Sequence, residues 1–238
     1  MRLLVFDLES EMIPYIYAGL PSLLGFPDSF AHASELPVNN KVVDIVAAPI
    51  DKAKLASSES LGKILGKLSM VQLDVLSLFV GRRIVSIQYL AQKTFMSAAE
   101  IHSNFLNVFD QYGLVSHLSR YSYTSTAWVN ALPPYMVAIE AKLTKWQEAL
   151  DQAVANKVFA NISCVVLAKN GRDIPEKVLN RFSDEGIGLL TVDGYGKIEI
   201  AVRASQTVSS VTRDHSFQMV RLLRDIQRRD SKSKWHLA

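Results

Sequence analysis

The spacing of apolar positions changes several times along the chain, and each change predicts a new element. Over 8–24 the apolar residues recur at helical spacing, with Glu9 and Glu11 in the first turn and Pro14 and Gly19 as interruptions. A turn-rich stretch, Gly25 to Ser34, leads into Glu35-Leu-Pro-Val. Lys41-Val-Val-Asp-Ile-Val-Ala-Ala follows, a β-branched run that predicts a strand carrying one acid, Asp44. From 51 to 67 the texture turns to Lys, Ser and Gly, as in a linker with a surface helix.

Beyond it, Met70, Leu73, Leu76 and Phe79-Val80 form one helical stripe, and Ser86 can cap a second helix bearing Ile87, Leu90 and Ala91. Ser97-Ala-Ala-Glu100 reads as a capping box opening a third helix that ends at Tyr112-Gly113, and Leu114 to Thr126 alternates as a hairpin does. After Pro133-Pro134 comes a second acid-bearing strand, Met136 to Leu143, and Thr144 is expected to cap a helix over 145–157. Strand, helix and strand signals then alternate through 202. A basic helix is expected over 217–229. Alternating strands and helices flanking an all-helical middle predict an α/β domain interrupted by a helical one.

Composition changes this picture little. With 238 residues, 49% hydrophobic and 21% charged, the chain can bury one large core or two modest ones, and whole-chain disorder is excluded. The formal charge is only +3, but it is unevenly placed. Segment 51–130 carries eight lysines and arginines against five acids, and 203–238 carries eight against three. Both would suit a polyanionic partner. A single cysteine, Cys164, excludes an intramolecular disulfide and a Cys-rich zinc site, and His32, His102, His117, His215 and His236 lack metal-ligand spacing. No stretch approaches a membrane span, and the Leu3 to Phe6 run is broken by Asp7, so a cytoplasmic protein away from membranes is expected.

The candidate chemistry lies in the two acid-bearing strands. In Glu140-Ala141-Lys142 the outer residues stand at i and i+2 and so share a strand face. With the Asp44 strand alongside, two carboxylates and an ammonium converge, and such a set suits Mg²⁺ and a phosphodiester.

These elements resemble the PD-(D/E)XK, restriction-endonuclease-like nuclease superfamily: Asp44 within Val42-Val-Asp-Ile-Val46, Glu140-Ala-Lys142, and the following Trp146-Gln-Glu-Ala-Leu-Asp-Gln152-Ala helix. The resemblance implies Asp44, Glu140 and the Ala141 carbonyl as ligands of Mg²⁺ or Mn²⁺, Lys142 as the water-activating group and Gln152 facing the same cleft. Glu9, Glu11 and Glu35 are candidates for an additional metal ligand. Glu140 follows Asp44 by 96 residues, far beyond the usual hairpin, and an insertion accounts for the gap. The stretch Val85 to Val115 resembles winged helix-turn-helix proteins, with Ser97 to Tyr112 as recognition helix and Ser116 to Ser125 as wing.

The expected organisation is therefore a discontinuous nuclease-like core over 1–50 and 129–205, a mixed sheet flanked by helices, with a winged-helix insertion over 51–128 and a basic helix and tail over 206–238. Its expected activity is metal-dependent cleavage of DNA, gripped through Lys93, Arg120, Arg82 and Arg83. A DNA-binding regulator or defence-system sensor on a nuclease-like core is the alternative, and a pair of protein-interaction modules is a third. Protein components of a defence or mobile-element system would suit as further partners, and a homodimer would suit paired cuts.

Overall fold

A computed structural model describes residues 6–25, 30–38, 41–49, 61–169, 173–206 and 212–230, the last six of these by backbone alone. Along the chain, a 3₁₀ turn, Glu9–Met12, leads into α1, Ile13–Leu24, which ends on Gly25 in the left-handed region. Strands β1, Phe30–Val38, and β2, Lys41–Pro49, follow. Then come α2, Met70–Ser77; β3, Val85–Ser86; α3, Ile87–Thr94; and α4, Ala98–Ile101, which runs through a π segment, His102–Leu106, into α5, Asn107–Gln111. Strands β4, Val115–Ser119, and β5, Ser122–Ser125, form a hairpin. The last part holds β6, Val137–Lys142; α6, Trp146–Asn156; β7, Ile162–Lys169; α7, Glu176–Asp184; β8, Gly188–Asp193; β9, Ile198–Val202; and α8, Arg213–Asp230.

The chain divides into two units, one from 1–51 and 133–209 and the other from 52–132 and 210–235. The first is α/β. Its six-stranded mixed sheet runs β1-β2-β6-β7-β8-β9, with parallel pairing of β6 with β7 and β7 with β8 and antiparallel pairing elsewhere. Side-chain alternation splits the core between the two faces. Ile45, Ala47, Val137, Ile139, Ala141, Cys164, Val166 and Leu190 point to Met12, Ile16 and Leu20 on one side. Val165, Leu167 and Leu189 meet Ala149, Leu150 and Ala153 of α6 and Val178 and Phe182 of α7 on the other.

The second unit holds helices and a three-stranded sheet ordered β3-β5-β4. Ser69, Ser86 and Ser97 each accept the backbone N–H three residues on, which fixes where α2, α3 and α4 begin. Phe79, Leu90, Ile101, Phe105, Phe109 and Tyr123 form its buried interior. The basic C-terminal helix belongs to this unit: α8 packs on α2, and Arg213 pairs with Asp74 while donating to the Lys93 carbonyl.

Two sequence expectations are corrected. Phe30 to Ser34 is strand rather than turn, because antiparallel pairing with β2 overrides the low strand propensity of the two alanines. Thr144 makes no side-chain cap; the residue before α6 is Lys145, and Thr144 contributes only its carbonyl, to the Trp146 N–H.

Gly188 shows how tightly the sheet is filled. It lies opposite Cys164 in the β7–β8 register, where an added Cβ would stand 2.6 Å from Sγ and 3.1 Å from the Ala204 Cβ. Gly188→Ala should cost about 1–3 kcal/mol in urea unfolding. Cys164→Ala in the same chain should recover part of that loss, since Sγ is the nearest atom; strictly additive losses would contradict this contact.

Candidate functional site

Asp44 and Glu140 come together because β2 and β6 are neighbours. The ladder between them pairs Ala47 with Val137, Val46 with Ala138 and Ile45 with Ile139, so continuing the register sets Asp44 opposite Glu140. Directly opposed residues project from the same face. That face looks toward α6, since Ile45, Ile139 and Ala141 point the other way into the α1 side of the core. Past Ile45 the Asp44 side chain takes over from the ladder. Its Oδ2 accepts the Ala141 N–H at 2.8 Å.

Glu140 is only 2% exposed, and α6 supplies its one donor: Asn156 Nδ2 donates to Oε1 at 2.7 Å. The other oxygen, Oε2, is buried and has no donor among the described residues. Burial pushes the Glu140 carboxyl up to about 7; the Asn156 bond and Lys142 pull it down, while the charge and hydrogen-bonding reach of Asp44 push it further up. Two carboxylate oxygens are both acceptors, so they repel unless a proton or a cation lies between them.

Lys142, two residues on, carries the cluster's positive charge. Its Nζ donates to Glu9 Oε2 at 3.1 Å and lies 3.8 Å from Asp44 Oδ2. Burial pulls the ammonium down, but Asp44 and Glu9 outweigh it and its pKa stands above that of an ordinary lysine. The group is therefore a persistent cation at neutral pH, suited to holding and neutralising an anion.

Of the other candidates, Gln152 is on the buried side of α6, and its Oε1 is buried without a donor. It stands four residues before Asn156 and so on the same helical face. Glu9 joins the cluster through Lys142. Glu11 does not: its Oε2 accepts the N–H groups of Asp7 and Leu8 and so caps the 3₁₀ turn. Glu35 falls opposite Asp44 in the β1–β2 register, between the Ser34–Ile45 and Leu36–Val43 pairs, but it is exposed and its backbone is left-handed at φ 53°. A non-glycine residue in that region carries strain of about 1 kcal/mol or more.

Asn156 is the site residue that sequence reasoning missed. The available signal was a second amide one turn after Gln152, on the face of a helix otherwise filled by alanines.

The basic candidates all lie in the second unit. Arg120 begins the two-residue turn between β4 and β5, with its guanidinium 5.2 Å from the Tyr121 ring. Lys93 is exposed in the last turn of α3. Arg82 stacks 4.3 Å from the Tyr89 ring, and Arg83 is exposed beside it, just ahead of β3. No helix among the described residues is long and apolar enough to cross a membrane.

Burial of Glu140 has a thermodynamic signature. A carboxyl whose pKa is raised by folding binds its proton more tightly in the folded state, so stability is greatest below the ordinary value of 4.5 and declines as pH climbs to about 7. With divalent ions chelated, Glu140→Gln should remove that decline, so that its stability relative to wild type is better at pH 8 than at pH 4 by on the order of 3 kcal/mol. Parallel stability–pH curves would show that Glu140 is not buried as a strained acid. Comparison with family models, characterised proteins and solved structures finds no match, so what the cluster does is argued from its own geometry.

Proposed function

We propose that this chain is a Mg²⁺-dependent phosphodiesterase acting on DNA, with a PD-(D/E)XK, restriction-endonuclease-like core and an inserted winged-helix module that grips the DNA; Mn²⁺ would serve in place of Mg²⁺. One observation carries the reading. Asp44 and Glu140 are held side by side with a buried Glu140 oxygen lacking any donor, next to a lysine kept charged.

That donor set fits a hard cation. Among the described residues no group of three or more Asp, Glu, His or Cys could enclose a metal, but Mg²⁺ typically takes one or two carboxylates and completes its shell with water and substrate phosphate. Asp44 and Glu140 would hold it. The Ala141 carbonyl would join them, since in a strand a residue's N–H and C=O leave on the same side and the Ala141 N–H points at Asp44. When bound, the ion supplies an acidified water and positive charge for the phosphate. Lys142 offsets the charge that builds on the phosphoryl oxygens, and Glu9 keeps its ammonium aimed and protonated. Gln152 offers an amide acceptor to a water or a substrate hydroxyl.

In the second unit, the order α2, β3, α3, the α4–α5 helix and the β4–β5 hairpin supports the winged-helix reading, with α4–α5 as recognition helix and Arg120 at the tip of the wing. A second reading, a DNA-binding regulator or sensor that does not cut, is favoured by the degree to which the cluster already satisfies itself: Asp44 takes the Ala141 N–H and Lys142 pairs with Glu9.

The two readings separate on one variant. Lys142→Ala should lower the rate of Mg²⁺-dependent cleavage of plasmid or linear DNA by about 10²–10³-fold, because charge stabilisation in the transition state is lost, while DNA affinity stays near wild type. Salt-dependent DNA binding by the wild type, with no cleavage in Mg²⁺ or Mn²⁺, would establish the regulator instead.

The grip is tested separately. Arg120→Ala and Lys93→Ala should each weaken binding and reduce the slope of log affinity against log salt by roughly one. Unchanged slopes would remove wing and turn from the interface.

A further inference from the structure

We propose that Asn156 is a positioning residue, one that clamps Glu140 Oε1 so that Oε2 is the oxygen left for a divalent cation. The proposal rests on the reading of the cluster as a cation site.

The argument begins with cost. Asn156 is 5% exposed, and a buried amide is expensive unless its polar atoms are bonded. It meets that cost by donating to Glu140 at 2.7 Å, a short bond of the charge-assisted kind. An amide NH₂ can donate but cannot accept, so the bond favours the ionised carboxylate and fixes its rotation about the last side-chain torsion.

The backbone that carries the amide is fixed. The main-chain carbonyl of Asn156 accepts the N–H groups of Phe159 and Ala160 as the chain leaves α6, and the Ser163 hydroxyl of β7 donates to the Ala153 main-chain carbonyl one turn earlier at 2.7 Å. Small residues at Ala149 and Ala153 are fully buried on the sheet, which brings the helix close enough for Asn156 to reach across.

A carboxylate buried only for structure would have both oxygens satisfied. Here one is clamped and the other is bare, with Asp44 as its neighbour. A bare acceptor next to a second carboxylate describes a place for a cation more closely than a place for packing. If stability alone were served, an apolar side chain of similar size at 156, with Glu140 replaced to match, would serve as well or better.

Mn²⁺ affinity of the full chain, measured by calorimetry beside thermal unfolding without metal, tests this. Asn156→Leu keeps the branched shape in a somewhat larger side chain and removes the donor; Asn156→Ala removes both branch and donor and controls for packing. Both variants should bind Mn²⁺ about 10–100-fold more weakly, the range for removing a group that orients a ligand, and should lower the cleavage rate in step. Both should also melt earlier without metal, because a buried carboxylate oxygen loses its donor, so affinity is measured well below each variant's melting temperature. A variant that melts earlier yet binds Mn²⁺ as wild type does would overturn the positioning role and leave the cation site standing. Absence of Mn²⁺ binding by the wild type would overturn both.

Discussion

Two carboxylates on neighbouring strands cannot share the dry face of a sheet unless a positive charge or a proton comes between them. The α/β unit is arranged around that demand. Asp44 and Glu140 meet one step past the last β2–β6 ladder pair, where the Asp44 side chain takes a backbone N–H that the ladder no longer uses. Lys142 supplies a cation at 3.8 Å from Asp44, and Asn156 supplies a donor to Glu140. The compensation stops one bond short. A single Glu140 oxygen stays bare among the described residues, and burial, helped by the Asp44 charge, pushes the carboxyl up to about 7.

Holding such a group in place requires a stiff frame, and the sheet provides it. Parallel pairing of β6, β7 and β8 needs crossovers, which α6 and α7 make, covering the sheet with an apolar layer. The same helix α6 that seals the core through Ala149, Leu150 and Ala153 turns Asn156 toward Glu140. One helix therefore contributes both packing and polarity, as its sequence alternates alanines with amides at helical spacing. The ends of the frame carry strain: Glu35, opposite Asp44 on β1, sits at positive φ without being glycine.

The second unit is stabilised by a different means. Its helices begin at serine caps and close on aromatic contacts such as Phe79 with Phe109, whose rings meet edge-on at 6.5 Å. Three of its cations, Lys67, Arg82 and Arg120, rest on tyrosine rings. Rings of this kind restrict where a cation can go without taking its charge from solvent.

Local signals in the sequence were enough for the elements with strong chemistry of their own. Serine caps at 86 and 97, the alternating hairpin up to 126 and the β-branched runs around Asp44 and Glu140 are all short-range patterns, decided by propensity and by hydrogen bonds within a few residues. The shared face of Glu140 and Lys142 was also legible, because strand alternation needs no partner. What lay beyond reach depended on pairing across distance. Residues 30–34 look like turn until β2 lies beside them, and Glu11 and Glu9 look equivalent until one is spent on a cap and the other meets Lys142. Asn156 could be named only once α6 was laid against β6. Sequence sets which groups a chain can offer, while tertiary structure sets their distances, and the charge state of each group and the orientation of each carboxylate follow from those distances.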